Sequence, residues 1–302
     1  MSARWWVYQR ERFPVLAHGP LILAFSLSAV SYSALLRGAT SLPPLGTVIA
    51  FVTAFLFFLQ LRIADEFKDY EEDARFRPYR PVPRGLVSLR ELGWVGLGAA
   101  LVQGALALLA APALTLILVA AWSYLALMSV EFFAPAWLKA RPVTYLWTHM
   151  LIMPLVDFYA TACEWLVRGA SLPAGLSWFL LVSFLNGIVL EIGRKTRAPA
   201  DEETGVETYS VLWGRRRAVL AWLGAMLACA GAAAMAARAI DFLQPAASVL
   251  TVLVASAAVV GVGFVRGAAR GSGRRLEILS GIWTLSMYLV IGAVPFALRN
   301  LS

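Results

Sequence analysis

Long apolar runs alternate with short polar joints along this chain, and two of the joints are far longer than the rest. Apolar stretches of spanning or near-spanning length fall at roughly 14–36, 44–64, 92–111, 113–130, 142–163, 175–193, 217–237, 246–265 and 277–297. A hydrocarbon core about 30 Å thick needs roughly 20 apolar residues in a helix that rises 1.5 Å per residue. The pattern therefore predicts nine membrane helices, the third and fourth separated only by the turn at Pro112. The two long polar segments, 65–91 and 194–216, follow the second and sixth helices. Six of the 18 carboxylates lie within 65–73, followed by Glu91, and Asp201, Glu202, Glu203 and Glu207 lie in the second segment. Matching placement in the two halves suggests two lips of one cavity. The expectation is a single all-α domain over 1–302, nine helices around a central cavity that opens near the cytoplasmic face.

Composition agrees with the pattern. Hydrophobic residues make up 60% of the chain and charged residues 15%, and the mean hydropathy is +0.72, values of a polytopic membrane protein. Cys163 and Cys229 stand far apart in apolar runs with no CxxC or Cys/His spacing, so they read as packing residues. The net charge of +8 reflects topology and not nucleic-acid binding. With the N-terminus placed in the cytoplasm, 21 of the 26 basic residues fall on cytoplasmic segments. Only Arg37, Arg168, Arg238 and Arg299 fall on the opposite side, with Arg62 inside a helix end. The positive-inside rule then sets the N-terminus in and the C-terminus out, which requires an odd number of spans. The basic start, Met1 to Arg12, superficially suggests a signal peptide, but the run behind it is too long for one and eight more follow. It reads as an uncleaved first helix with Trp5 and Trp6 at the interface.

The candidate chemistry begins at Asp65. Asp65, Asp69 and Asp73 are spaced i, i+4, i+8, so a continuing second helix would put all three near one face. Carboxylate oxygens of this kind suit Mg²⁺, which keeps waters and bridges carboxylates to substrate phosphates. A charge run is ordinarily a solvated helix end. Two features favour a site instead: the carboxylates start where an apolar span stops, and Arg75, Arg77, Arg80 and Arg84 follow at once. Arginines beside a metal ion form a clamp for a diphosphate.

The segment from Asp65 to Ser88, DEFKDYEEDARFRPYRPVPRGLVS, resembles the first signature of the UbiA superfamily of intramembrane prenyltransferases. The family's usual form is N-D-x-x-D-x-x-x-D followed by R-x-x-R-P-x-x-x-G-x-x-S. Asp65 stands where the family has Asn and Glu66 where it has Asp, while Asp69, Asp73, Arg77, Arg80, Pro81, Gly85 and Ser88 match. The resemblance implies a nine-helix fold and a Mg²⁺ site at Asp65, Glu66, Asp69 and Asp73. It also implies binding of an isoprenoid diphosphate, helped by Arg77, Arg80 and Arg84, and transfer of its prenyl group to a lipophilic acceptor whose identity is open. The second family signature, D-x-x-x-D-x-x-x-G-x-x-[ST], fits less fully: Asp201, Gly205 and Thr208 match, but Arg197 occupies the first Asp position. Either Glu191, Asp201 and Glu202 rebuild a second metal site, or Arg194, Lys195 and Arg197 neutralise phosphate directly. Lys139 resembles a family lysine near the diphosphate.

The fifth predicted helix adds Tyr145, His149 and Asp157, and ionisable residues within a membrane are functional candidates by default. Eight residues separate His149 from Asp157, about 80° round the axis and 12 Å along it, too far to touch. Asp157 is a candidate for contacting the acceptor or taking a proton from a carbocation, with a structural hydrogen bond as the alternative. Trp122, Tyr124, Trp147 and Phe158 are candidates for stabilising an allylic cation. Two other functions are open to the same residues. A UbiA-type terpene cyclase would capture the cation intramolecularly without an acceptor, and a permease would use the acidic helix ends to bind a transported cation. The clustering of charge at one face instead of the midplane argues against the permease.

Overall fold

The computed structural model describes residues 2–301, all of them in helices, turns and loops. A short helix α1 (Ser2–Arg12) precedes α2 (Val15–Leu36) and α3 (Pro44–Lys68), which is followed directly by α4 (Tyr70–Phe76). Next come α5 (Leu89–Ala110), α6 (Pro112–Ser129), α7 (Pro135–Lys139), α8 (Pro142–Met150) and α9 (Ile152–Trp165). The second half holds α10 (Leu176–Arg194), α11 (Tyr209–Trp213), α12 (Arg215–Arg238), α13 (Leu243–Arg266), α14 (Gly273–Tyr288) and α15 (Val294–Arg299). Among the described residues, eight helical stretches are long and apolar enough to cross a bilayer, the last running through α14 and α15. The chain is a multi-pass membrane protein. The fifth predicted span is the exception: it is split into α8 and α9 at Leu151, three residues before Pro154, because a proline ring displaces the carbonyl four residues before it.

The spanning helices pack in chain order into a closed circuit. α2 touches α3, α3 touches α5, and contact passes through α6, α9, α10, α12, α13 and α14 before returning to α2. With hydrocarbon outside, apolar burial does little to hold helices together, so close approach at small residues carries much of the association. Gly46 of α3 lies against the backbone of α9: a Cβ there would stand 2.2 Å from the Cys163 carbonyl oxygen. Gly292, in a π-helical turn at Leu289–Ala293 between α14 and α15, lies equally close to the Ser28 backbone of α2. The wider turn shifts the register of the last span so that Gly292 meets α2.

Polar joints set the ends. Ser88 and Glu91 form a capping box at the start of α5: the Ser88 hydroxyl accepts from the Glu91 N–H at 3.3 Å and Glu91 accepts from the Ser88 N–H at 2.9 Å. Gly85, at φ +76°, supplies the left-handed residue that turns the chain into this cap. The Gly and Ser of the first motif thus shape the return of the loop into α5. At the far end of the bundle, the fully buried Glu164 accepts from Ser33 at 2.8 Å and pairs with Arg37 and Arg168 at 3.3 and 3.4 Å.

Gly46→Ala should lower stability by roughly 1–3 kcal/mol, the scale of overpacking a tight contact. Thermal unfolding in detergent reads this directly, and an unchanged midpoint would contradict the close α3–α9 contact.

Candidate functional site

The first polar segment keeps its helical hydrogen bonding beyond the end of α3. Asp69 has a distorted backbone (φ −94°, ψ 7°), yet its N–H still donates to the Asp65 carbonyl at 2.9 Å. Asp73 then donates to Asp69 and Arg77 to Asp73, both at 2.8 Å. The i→i+4 ladder therefore holds Asp65, Asp69 and Asp73 in register along one face. Asp73 is buried, with Arg80 donating to Oδ2 at 2.5 Å. Arg77 lies 2.9 Å from Oδ1 without completing a hydrogen bond, so each Asp73 oxygen faces a guanidinium group. Asp65 is half-exposed and 3.4 Å from Arg62. Burial, opposed by Lys68, pushes the Asp69 carboxyl above its usual range, and the carboxylates of Asp65, Asp73 and Glu72 push it further.

Glu66 does not join this face. One residue on is 100° round the helix, and its buried carboxylate accepts a short hydrogen bond from Arg12 of α1. Glu66, expected in the metal set, is here paired with Arg12. Helix α1 straps the whole segment: Arg4 pairs with Glu91 at 2.6 Å, Glu11 with Arg84 at 3.0 Å, and Tyr8 is buried beside Ile63, Val82, Val87 and Leu92. Arg84 is thereby committed to α1 and not to the aspartates.

The second segment lies at the same end, since Arg194 is within electrostatic reach of Asp65, and Tyr209 of both Glu191 and Tyr145. Glu191, expected as a metal ligand, is held by Arg194 at 2.6 Å and Lys195 at 2.9 Å. Arg197 pairs with Glu203 at 2.9 Å. Asp201 turns away from the first segment: it accepts from the Gly271 N–H at 2.7 Å and lies 4.0 Å from Arg270, tying down the loop before α14. Glu202 accepts from Thr208 and Ser210 at 2.8–2.9 Å. A cavity of ≈ 590 Å³ opens here, lined by the second segment and by Arg270, Arg274 and Glu277. Its walls carry as many acidic as basic side chains.

A third group was not foreseen. Glu131, Phe132 and Phe133, just beyond α6, all adopt left-handed backbone with φ of 51°, 51° and 58°. Such backbone costs roughly 1–2 kcal/mol per non-glycine residue, so the fold must hold it in place. The Phe132 ring does so, wedged edge-on against Tyr124 and His149. The turn aims Glu131 at α3 and α8. Lys68 Nζ donates to Tyr145 Oη at 3.0 Å and lies 3.4 Å from Glu131 Oε1, and Tyr145 Oη donates to the same oxygen at 3.0 Å. His149 stacks on Tyr145 at 3.9 Å, donates from Nδ1 to the Tyr145 carbonyl at 2.9 Å, and sets Nε2 3.4 Å from Glu131 Oε2. Burial raises the Glu131 carboxyl, but His149, Lys68 and Tyr145 outweigh it and hold it at about 2. The sequence did carry one signal, because Glu131 is the lone acidic residue between Glu91 and Asp157.

The remaining candidates lie elsewhere. Lys139 is exposed at the end of α7, without an ion-pair partner among the described residues. Asp157 is fully buried in the bundle and accepts from Tyr288 Oη at 2.8 Å, which also contacts Ser183 at 3.2 Å, the structural alternative for this residue. Trp122 donates to Gln103 and Tyr124 to the Thr148 carbonyl, while Trp147 is exposed on the bundle surface.

The sequence profile of the UbiA prenyltransferase family matches residues 21–294. The chain belongs to this family. Solved structures with the same fold include the apo form of a UbiA homolog from Aeropyrum pernix K1, at a TM-score of 0.68 and 14% identity. That match covers 93% of this chain and 98% of the other. A digeranylgeranylglyceryl phosphate synthase aligns at 0.61 and 13% identity over 96% and 99%. A UbiA homolog from Archaeoglobus fulgidus bound to DMAPP and Mg²⁺ aligns at 0.54 and 14% identity over 89% and 96%. Comparison with curated proteins found no match. In its second segment, Arg197 stands where the motif resemblance expects an aspartate, and Asp201 serves the loop before α14.

Two consequences follow from the pairing. Arg12→Ala strands a buried carboxylate and should cost about 3–5 kcal/mol of stability, part of which Glu66→Gln restores in the double variant. Equal unfolding midpoints for wild type and R12A in detergent would refute the strap. Because Glu131 has a folded-state value of about 2, below its ordinary 4.5, its contribution is complete above the ordinary value and lost as pH falls through the folded one. Glu131→Gln should therefore flatten the acid side of a stability-against-pH profile, and parallel profiles would sink this assignment.

Proposed function

We propose that this chain is a magnesium-dependent intramembrane prenyltransferase, which ionises an isoprenoid diphosphate and passes the prenyl group to a lipophilic acceptor. The observation that carries this reading is the ladder through Asp65, Asp69, Asp73 and Arg77, which sets three carboxylates in register with arginines at the polar end of an apolar bundle. The Archaeoglobus homolog bound to DMAPP and Mg²⁺ supports the substrate class and the ion. The positive-inside count supports a cytoplasmic site, and we assign all of 1–302 to one catalytic unit.

The residues fit magnesium as a site completed by water and phosphate, not as an all-protein cage. Asp73 Oδ1 accepts no hydrogen bond, and the Asp69 carboxyl is raised by burial and then by its anionic neighbours, whose repulsion a cation would relieve. Among the described residues, no three acidic, histidine or cysteine side chains converge on one point, so an ion bound here would take most of its ligands from water and substrate. Asp69, with Asp65 and Asp73 beside it on the same face, would hold it, while Glu66, Glu191 and Asp201 face Arg12, Arg194 with Lys195, and the Gly271 N–H. When bound, the ion supplies positive charge to the departing pyrophosphate.

The chain's own residues do the rest. Arg77 and Arg80 fix Asp73 and bring two guanidinium groups to the same acidic face. Arg194 and Lys195 bring further charge from the second segment. The allylic carbon–oxygen bond breaks with both electrons leaving on pyrophosphate. The apolar bundle below shields the resulting cation from water until a nucleophile adds and a proton is lost.

Asp69→Asn with Asp73→Asn should lower Mg²⁺-dependent pyrophosphate release by at least about 100-fold, the scale of losing one electrostatic stabiliser. Product mass spectrometry with a panel of prenyl diphosphates reads it. Undiminished release in the double variant would defeat the site. A cyclic product formed without acceptor would replace transfer with cyclisation.

A further inference from the structure

Lys68 stands apart from the cations that face the carboxylates of the two polar segments. In the two polar segments, Arg77 and Arg80 face Asp73, Arg194 and Lys195 face Glu191, and Arg197 faces Glu203. Each of these is already partnered by a carboxylate of its own segment. Lys68 differs in geometry. Its ammonium has three donors, and its one full hydrogen bond goes to a neutral phenol, Tyr145 Oη at 3.0 Å. Glu131 lies farther off at 3.4 Å, and divides its charge between Lys68, Tyr145 and His149. At least one N–H direction is left unused. The side chain is also partly open, at 20% exposure, and within electrostatic reach of both Asp65 and Asp69.

The surroundings of Lys68 are built for aim. Left free at the end of α3, a lysine stem would sample many rotamers. Here Tyr145 is fixed by its stack on His149, His149 by the Tyr145 carbonyl, and Glu131 by the left-handed turn that Phe132 wedges in place. A strained, over-determined turn that delivers one carboxylate to one lysine is the mark of a positioned group.

We propose that Lys68 is a further diphosphate-binding residue of this site, with Glu131 and Tyr145 as the positioning residues that hold its ammonium beside the Asp65–Asp69 face. The inference rests on the prenyl-diphosphate reading above. It adds a metal-independent contact: a lysine that meets the non-bridging oxygens as a point charge.

The test is binding without metal. Calorimetry on the full-length protein in detergent with EDTA would measure Kd for inorganic pyrophosphate and for farnesyl thiodiphosphate, in wild type, Lys68→Met, Lys68→Arg and Glu131→Gln. Loss of one charge-assisted hydrogen bond should weaken both ligands on the order of 10–100-fold in K68M. K68R should recover most of that loss, and E131Q should fall between. Unfolding midpoints identify any variant that has lost its fold, and E131Q decides if K68M is among them. Wild-type affinity in folded K68M, or in folded E131Q if K68M does not fold, would overturn the proposal and leave the prenyltransferase reading standing. Failure of wild type to bind either ligand, with or without Mg²⁺, would overturn both.

Discussion

A charge at the centre of a membrane costs about 3 kcal/mol even on lenient scales, and this expense organises the whole molecule. The long polar segments lie at one end of the helical circuit, and the buried charges sit in pairs or networks. Glu164 closes the far end with two arginines, and Glu66 is closed by Arg12. Asp157, within the bundle, is the deep exception and is held by Tyr288. Once the apolar runs are threaded through a bilayer, the acidic face has one place to be: beneath the headgroups, at the mouth of the bundle.

Within that mouth, residue type is a poorer guide to chemistry than electrostatic availability. Glu66 and Glu191 are carboxylates at motif positions, yet each is neutralised by a neighbour, and a neutralised carboxylate is a weak ligand. Among the described residues Asp69 has no ion pair, whereas Asp73 faces two guanidinium groups, so the available oxygens of this face are those of Asp69. The same reasoning separates Lys68 from the arginines around it. Availability depends on which side chains the fold brings face to face.

Rigidity here comes from three devices of different kinds. Helix α1 straps the first segment with three ion pairs and a buried tyrosine. Glycines 46 and 292 let α3 and the last span close onto their neighbours. The left-handed turn at Glu131 is tolerated because an aromatic wedge and a shared carboxylate fix it from both sides. Together they hold the polar end still while the membrane leaves the outer helix faces free.

By itself, the sequence determined that the chain is helical, that it spans a membrane, and where its two polar segments lie. Those properties follow from run length and from the 3.6-residue period, which are local. The alignment of Asp69 and Asp73 along one face was legible for the same reason, because a helical ladder carries their spacing directly into space. The division of the fifth span at Leu151, the capture of Glu66 by Arg12 and the turning of Asp201 toward Gly271 were decided by tertiary structure. So was the Lys68–Tyr145–Glu131–His149 group, whose members come from three separate elements. An ion pair is set by which helices meet, and no spacing along the chain encodes a partner 54 or 70 residues away.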